Sequence, residues 1–184
     1  MYSVLENNPV IAAVKSEAQF ELALKSDVDI IFLLQSNIMC IEEFIKRSHT
    51  SEKYIFLHID MADGLGRDSA AILYLKSLGI DGIITTRGNL VRIAHENGLK
   101  TVQRFFVLDS KSIETSLETL KTSKADMVEI MPGIMPKIIK IFSSEVAVPI
   151  IAGGLINDKK EVIDALSNGA VAISTSNEDI WFEK

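Results

Sequence analysis

Eight short segments rich in Ile, Val, Leu and Phe recur along the chain, separated by amphipathic segments. Most of the eight are almost continuously apolar, which is typical of parallel strands that are covered on both faces. Strands that alternate with helical segments indicate βαβ units and a parallel sheet. The pattern therefore predicts eight βα units, with strands at residues 10–14, 29–34, 54–60, 82–86, 101–107, 127–132, 148–154 and 170–176.

Eight βα units favour a closed α/β barrel of the (β/α)8, or TIM-barrel, class. The chain has 184 residues, whereas about 250 are typical of such barrels, so a compact barrel is expected. Few residues follow Ser176, which predicts that the last helix is short or missing. We expect residues 1–184 to form a single barrel domain. An open doubly wound sheet is the alternative, and the count of eight strands favours closure.

Charge and cysteine content indicate the setting in which the chain works. The formal net charge is -6, which argues against strong affinity for nucleic acid because phosphate backbones bind basic surfaces. A single cysteine, Cys40, excludes an internal disulfide and fits a reducing compartment. The chain shows no signal-peptide pattern, and no apolar run approaches the ~20 residues that span a bilayer. We therefore expect a cytoplasmic protein without membrane contact.

The second half of the chain partly repeats the first. Without gaps, residues 61–68 align with residues 151–158, and residues 78–86 align with residues 168–176, at an offset of 90. This similarity indicates a duplicated half-barrel, in which the third and fourth units correspond to the seventh and eighth. The alternative is that unrelated βα units share glycines and helix caps for local reasons.

Small and hydroxyl-bearing residues end the last two predicted strands. Gly153 and Gly154 end the seventh strand, and Ser174, Thr175 and Ser176 end the eighth. The loops after these strands often hold phosphate in (β/α)8 barrels. Glycine lets backbone N–H groups approach an oxyanion, and hydroxyl groups add further donors. These five residues therefore predict a phosphate site; the alternative is that Gly-Gly serves only the bend and Ser-Thr-Ser only caps a helix.

Five polar side chains interrupt predicted strands where apolar residues are expected. The third strand ends in His58 and Asp60, the fifth contains Gln103 and Arg104, and the sixth contains Glu129. An isolated ion in a barrel core is costly, so these groups should pair or face a polar ligand. We predict that they bind ligand hydroxyl groups beneath the phosphate site. The alternatives are a structural Arg104–Glu129 salt bridge without a ligand, or acid and base groups of an enzyme.

Two arginines are predicted at the same edge of the barrel as the phosphate site. Arg67 lies in the loop after the third strand and Arg87 directly after the fourth, where they would contact phosphate, RNA or only water. Asp60 and Asp63 are a weak pattern for Mg²⁺, and a solvated loop is favoured. No spacing of His and Cys is typical of zinc. We expect no metal, no cofactor and no dedicated set of catalytic residues.

Six motifs, in this order and spacing, resemble those of the glycerol uptake operon antiterminator regulatory proteins, which respond to glycerol 3-phosphate. The resemblance extends from about Val10 to Trp181. Strand four ends in Thr85-Thr86-Arg87, where the family pattern has Ser-Thr-Lys, and the loop after the third strand begins less hydrophobically. The motifs are HIDMADGLGRD, DGIITTRGNLVRIA, TVQRFFVLDS, VEIMPGIMPKII, PIIAGGLINDKKEVIDAL and GAVAISTSNEDIW.

The resemblance implies a (β/α)8 protein that is a regulator and not an enzyme. Such a protein binds glycerol 3-phosphate and then acts on the leader mRNA of glycerol operons to prevent termination. The resemblance places the phosphate on Gly153, Gly154, Thr175 and Ser176, and the glycerol hydroxyls on some of the polar strand residues. It leaves open whether the chain forms a homo-oligomer.

Two other functions remain open at this stage. One is an enzyme of the same barrel class, such as an isomerase, lyase or synthase, that acts on a phosphorylated small molecule. The other is a sensor of the same ligand that acts through protein contacts. The acidic net charge argues against strong RNA affinity. The sequence also has no RNA-recognition motif and few aromatic residues on which bases could stack.

Overall fold

The computed structural model describes residues 2–182, which fold around a closed barrel of eight parallel strands. Each strand pairs with the next along the chain, and the first pairs with the last through Ile11 and Ser174. This closure confirms the predicted (β/α)8 class and rules out the open doubly wound sheet. The barrel strands are β1 (Val10–Val14), β2 (Ile30–Leu33), β4 (Tyr54–His58), β6 (Gly82–Thr85), β7 (Lys100–Phe106), β8 (Met127–Met131), β9 (Ile150–Gly153) and β10 (Ala172–Thr175).

Two further strands lie outside the barrel. These are β3 (Ser36–Asn37) and β5 (Ala62–Asp63), which pair in parallel at the edge where the barrel strands end. They join the loop after β2 to the loop after β4. No sequence pattern predicts this pairing, because a strand of two residues is too short to show a hydrophobic period.

Helices alternate with the strands and form the outer layer. Asp68, Asp109 and Asp158 cap three of them, each accepting a hydrogen bond from a backbone N–H of the first turn. Gly79 and Gly169 follow helix ends with positive φ. The helices are α1 (Tyr2–Asn7), α2 (Glu17–Lys25), α3 (Ile41–Thr50), α4 (Ser69–Ser77), α5 (Gly88–Glu96), α6 (Ser110–Thr122), α7 (Pro136–Glu145) and α8 (Lys159–Ser167).

The predicted short last helix is a 3-10 turn at Glu178–Phe182. Trp181 anchors it, because its ring is buried and its indole N–H donates to the carbonyl of Thr175 over 2.9 Å. The chain thus turns back over the end of β10, which fixes the loop that carries Ser176.

Apolar residues fill both the barrel and the space between strands and helices. Inside the barrel, alternate residues of the strands pack together, among them Phe32, Phe56, Val102 and Ile151. Leu5 of α1 packs with this inner cluster. This inner apolar cluster ends before the C-terminal ends of the strands. The inward-facing positions beyond it carry the polar residues described below. No helix in residues 2–182 has both the length and the apolar character needed to cross a bilayer.

The internal repeat is visible in the fold, except in one loop. Helix α4 and strand β6 begin and end 90 positions before α8 and β10, and Gly64 and Gly154 both have positive φ, at 74° and 77°. The preceding strands do not correspond, because β4 ends at His58 and β9 at Gly153. The loop after β4 therefore contains five additional residues, 59–63, which form a 3-10 turn and β5.

Candidate functional site

A buried polar layer crosses the barrel near the C-terminal ends of its strands. Arg104 on β7 faces Glu129 on β8, and Arg104 Nε donates to Glu129 Oε2 over 2.5 Å. Glu129 Oε1 accepts from Ser174 Oγ over 2.5 Å. The Glu129 side chain is 0% exposed and that of Arg104 is 6% exposed. The Arg104–Glu129 salt bridge, which the sequence gives as the alternative to ligand binding, is thus present and buried, and it neutralises a carboxylate that would otherwise be very costly there.

Gly153 makes room for this layer. A Cβ at Gly153 would lie 2.4 Å from Glu129 Oε1 and 2.7 Å from Ser174 Oγ. The space beside this glycine is therefore occupied by the protein's own carboxylate and hydroxyl. Gly154 differs, since it has positive φ and its missing Cβ faces the flexible end of Met131 at 2.7 Å. The two adjacent glycines thus serve two purposes, and only Gly154 lines the pocket above.

A pocket of about 450 Å³ opens above the polar layer at the mouth of the barrel. That volume falls in the range usual for small-molecule sites. Arg104 and Glu129 lie at its floor, and the loops after β8, β9 and β10 form its walls. The lining residues are Ala13, Lys15, Leu34, Arg104, Phe106, Glu129, Met131, Pro132, Gly154, Leu155, Ile156, Asn157, Ser174, Thr175 and Ser176.

The pocket presents several hydrogen-bond donors that the protein itself does not use. Arg104 pairs with Glu129 only through Nε, so its two terminal amino groups make no hydrogen bond within the described chain. The backbone N–H groups of Gly154, Leu155 and Ile156 likewise donate none to residues 2–182. The ammonium group of Lys15 lies at the rim, 3.4 Å from Ser176 Oγ. Such a set of cations and backbone donors suits an oxyanion.

Lys15 was missed by sequence reasoning, although a signal for it exists. It directly follows β1, and the C-terminal end of every strand of a barrel reaches the same face. Because β1 and β10 are neighbours only after the barrel closes, Lys15 and Ser176 are 161 positions apart in the chain and yet in contact.

On the opposite side of the mouth, Asp60 is surrounded by donors of the protein. Its carboxylate accepts from the Thr85 hydroxyl at 2.9 Å, from Thr86 N–H at 2.7 Å and from the Thr86 hydroxyl at 2.9 Å. Arg87 Nε lies 3.4 Å away, and Arg67 donates to the Asp60 carbonyl over 2.7 Å. Burial would raise the pKa of Asp60, but these hydrogen bonds outweigh it and the pKa lies below its ordinary value.

His58 lies beneath Asp60 and is neutral at physiological pH. Burial, and after it the nearby charge of Arg104, lowers the pKa of His58 to about 4. Its Nε2 is buried without a hydrogen-bond partner among residues 2–182, 3.8 Å from Asp60 Oδ2. His58 and Asp60 line the interior side of the mouth, but neither contributes to the walls of the 450 Å³ pocket.

Two predicted ligand contacts have other partners in the structure. Gln103 is 1% exposed, and its Oε1 accepts from Ser123 Oγ over 2.6 Å. Since neighbouring residues of a strand point to opposite sides, Gln103 faces the helices while Arg104 faces the barrel interior. The structure therefore does not bring Gln103 to the pocket. The Thr175 hydroxyl donates to the Ile156 carbonyl over 2.7 Å, so its role is to shape the loop.

The ends of β6 and β10 have the same local geometry. Thr85 Oγ1 accepts from Arg87 N–H over 3.1 Å, and Thr175 Oγ1 accepts from Asn177 N–H over 3.0 Å. In each case the next residue also carries a hydroxyl group and a backbone N–H. At β6 this residue is Thr86, and both groups bind Asp60. At β10 it is Ser176, whose N–H donates to no group of the described chain.

No three metal-binding side chains within residues 2–182 lie close enough together to hold a metal ion.

Among known proteins, a sequence model of the family described as the glycerol-3-phosphate responsive antiterminator matches residues 10–181. The chain belongs to this family. The chain is 36% identical over 179 residues to the protein YgcP of Escherichia coli (strain K12), a match that covers 97% of this chain and 94% of YgcP.

Two solved structures of glycerol uptake operon antiterminator proteins have the same fold as this family member. The glycerol uptake operon antiterminator regulatory protein of Listeria monocytogenes str. 4b F2365 is 30% identical, with a TM-score of 0.91 and 95% of each chain covered. A glycerol uptake operon antiterminator-related protein of Thermotoga maritima MSB8 is 34% identical, with a TM-score of 0.84 over 94% of this chain and 96% of that one.

Proposed function

We propose that this chain is a non-enzymatic regulator that binds glycerol 3-phosphate at the barrel mouth and, so loaded, binds the leader mRNA of a glycerol operon. Membership of the responsive antiterminator family supports the regulatory role. The observation that carries the ligand site is the contrast between Thr86 and Ser176. The donors of Thr86 hold a carboxylate, whereas the corresponding N–H of Ser176 donates to no group within residues 2–182, and Ser176 lines the pocket together with Lys15 and Arg104.

In this proposal the phosphate lies between Lys15, the terminal amino groups of Arg104 and the loop that begins at Gly154. Ser176 supplies a hydroxyl and a backbone N–H. Arginine suits this position because its planar fork binds two phosphate oxygens at once. The glycerol hydroxyls lie toward the polar layer, where Glu129 and Ser174 are the nearest groups that line the pocket.

The arrangement of the buried carboxylate supports binding rather than catalysis. A general acid or base must be free to exchange a proton with the substrate. Glu129 instead accepts from both Arg104 and Ser174 and is buried. The function proposed here requires no cofactor, and its effector is glycerol 3-phosphate itself.

The ligand is tested by titration calorimetry with glycerol 3-phosphate. We expect binding to wild type, and an affinity at least about tenfold lower in Lys15→Gln, because an exposed cation at the rim is lost without a change in the core. Lys25→Gln, at an exposed position in the last turn of α2, is the matched control and should bind as wild type does. Equal affinities in all three proteins would refute the placement.

The RNA partner is tested with a leader transcript of a glycerol uptake operon over a series of salt concentrations. We expect binding only in the presence of glycerol 3-phosphate, with an affinity that falls as salt rises. The double variant Arg67→Gln/Arg87→Gln should weaken RNA binding and leave glycerol 3-phosphate binding unchanged, because these cations are outside the pocket. RNA affinity that is independent of the ligand would contradict the regulatory mechanism.

A further inference from the structure

One interior layer near the mouth of the barrel combines two polar residues with two very small ones. A (β/α)8 barrel builds each such layer from every second strand, with one inward side chain from each. The strand register, with the stagger that closes the barrel, places four residues in this layer: Ala13, His58, Arg104 and Gly153. His58 therefore faces the same interior space as Arg104, although it does not form part of the wall of the 450 Å³ pocket.

His58 presents a buried nitrogen to this space without a partner for it. Its side chain is 8% exposed, and its Nε2 makes no hydrogen bond within residues 2–182. A backbone hydrogen bond with Leu34 raises the pKa of His58, so the partner is an acceptor, the Leu34 carbonyl. In a neutral imidazole one nitrogen donates and the other accepts, so this bond leaves Nε2 as the acceptor. A buried acceptor without a donor is costly, which favours a site that a ligand completes.

The other polar groups around His58 already have partners or can only donate. Asp60 accepts three hydrogen bonds from neighbouring threonines, and Glu129 accepts from Arg104 and Ser174. The terminal amino groups of Arg104 are donors and have no lone pair to offer. Among these buried groups, Nε2 of His58 is thus the acceptor that has no donor from the described part of the chain.

Resting on the anion site of the proposed function, we infer that His58 Nε2 accepts a hydrogen bond from a hydroxyl group of the bound phosphate ester and thereby selects polyol phosphates. With the phosphate held at Lys15 and Ser176, the organic part of the ester extends inward to the layer of His58. Ala13 lines the pocket in that layer and fills little of it. Glycerol 3-phosphate brings hydroxyl donors to this end, whereas a plain alkyl ester leaves Nε2 buried and unpaired, and such a loss discriminates strongly between ligands.

The test is titration calorimetry with glycerol 3-phosphate and with propyl phosphate, which has the same three-carbon chain and no hydroxyl group. In His58→Leu the affinity for glycerol 3-phosphate should fall at least about fivefold, while that for propyl phosphate stays within about twofold. His58→Gln, whose amide oxygen is an acceptor, should bind glycerol 3-phosphate more tightly than His58→Leu does. His95→Leu, at an exposed histidine in the last turn of α5 and outside the pocket, is the matched control. In wild type, nitrogen NMR of the imidazole should show Nε2 of His58 becoming hydrogen-bonded with glycerol 3-phosphate and not with propyl phosphate.

Each outcome assigns the failure to one hypothesis. If His58→Leu binds both esters as wild type does, Nε2 takes no part in ligand recognition, and this inference is overturned while the anion site stands. An equal loss of affinity for both esters also overturns it, because His58 then only supports the shape of the pocket. If neither ester binds wild type, the anion site of the proposed function fails, and this inference fails with it.

Discussion

The loop after β4 and the loop after β9 belong to corresponding units of the barrel but differ in length and in the groups that they bring to the barrel mouth. Both lead through a glycine of positive φ and an Asp cap into helices of equal length, followed by strands of equal length. The loop after β4 contains five more residues, 59–63, and these bring Asp60 onto the donors at the end of β6. The loop after β9 lacks them, and the backbone N–H of Ser176 at the end of β10 binds no carboxylate within residues 2–182.

The two sides of the barrel mouth differ in how the donors at their strand ends are used, and we call the β4–β6 side closed and the β9–β10 side open. On the β4–β6 side the Asp60 carboxylate occupies the place of an anion and satisfies Thr85, Thr86 and Arg87. On the β9–β10 side the Thr175 hydroxyl donates to the Ile156 carbonyl, and the N–H of Ser176 donates to no group within residues 2–182. Under the proposed function, the insertion after β4 puts an internal carboxylate where a ligand would bind, and its absence after β9 leaves the ligand site open.

The largest effect is expected from loss of the ion pair under the open side. Arg104→Met should lower the free energy of unfolding by about 3–5 kcal/mol, because Glu129 then remains buried as an unpaired charge. Chemical denaturation measures the loss. Arg104→Met/Glu129→Gln removes the charge while keeping an acceptor for Ser174, and should recover most of the stability. A double variant as unstable as the single one would mean that packing, and not charge, governs this layer.

The barrel was predictable from sequence because its signals are local and repeated. Each of the eight apolar runs can be recognised from only a few neighbouring residues. The Arg104–Glu129 pair was also within reach, because consecutive parallel strands of a βαβ unit usually lie side by side.

The rest of the site depended on closure and on residues without a pattern. Lys15 meets Ser176 only because β1 closes onto β10. The role of Gly153 depends on the position of the Glu129 carboxylate, which a sequence does not give. Gln103 was expected at the ligand, but the parity of β7 directs it to the helix layer, and a one-residue change of parity reverses the face of every side chain.

The next largest effect is a dependence of stability on pH that arises from the closed side. His58, on the closed side, has a pKa of about 4 in the folded protein and about 6.5 when unfolded. Its neutral form is favoured by folding, so stability is present above the unfolded pKa and falls by about 3 kcal/mol as pH drops from 7 to 4. The lowered pKa of Asp60 acts with the same sign, but only near and below its ordinary value of 3.8.

Urea denaturation of wild type and His58→Gln at pH 7, 5.5 and 4 measures this contribution. The difference in unfolding free energy between the two proteins isolates the contribution of His58, because the carboxylates titrate in both. We expect the variant to lose less stability than wild type over this range. Parallel pH profiles would show that His58 is not held neutral.

A third variant converts the closed side into an open one. Asp60→Ala should cost about 2 kcal/mol of stability, because the donors of Thr85 and Thr86 lose their acceptor. Those donors should then bind inorganic phosphate, so titration calorimetry should count two phosphates per chain instead of one. Asp63→Ala, at an exposed neighbouring position whose side chain makes no hydrogen bond within the described chain, is the control. A single phosphate in Asp60→Ala would contradict the equivalence of the two sides.

The smallest effects come from a matched pair, Thr86→Ala and Ser176→Ala, which remove one hydroxyl from each side. Thr86→Ala should lower the free energy of unfolding by about 1 kcal/mol and leave the affinity for glycerol 3-phosphate unchanged, because its hydroxyl serves only Asp60. Ser176→Ala should change stability by less than about 0.5 kcal/mol and weaken the ligand by about threefold to tenfold. Thermal unfolding and calorimetry on both variants give four values. If the two variants behave alike, the sides are not specialised, because the comparison requires that one hydroxyl stabilise the fold and the other the ligand.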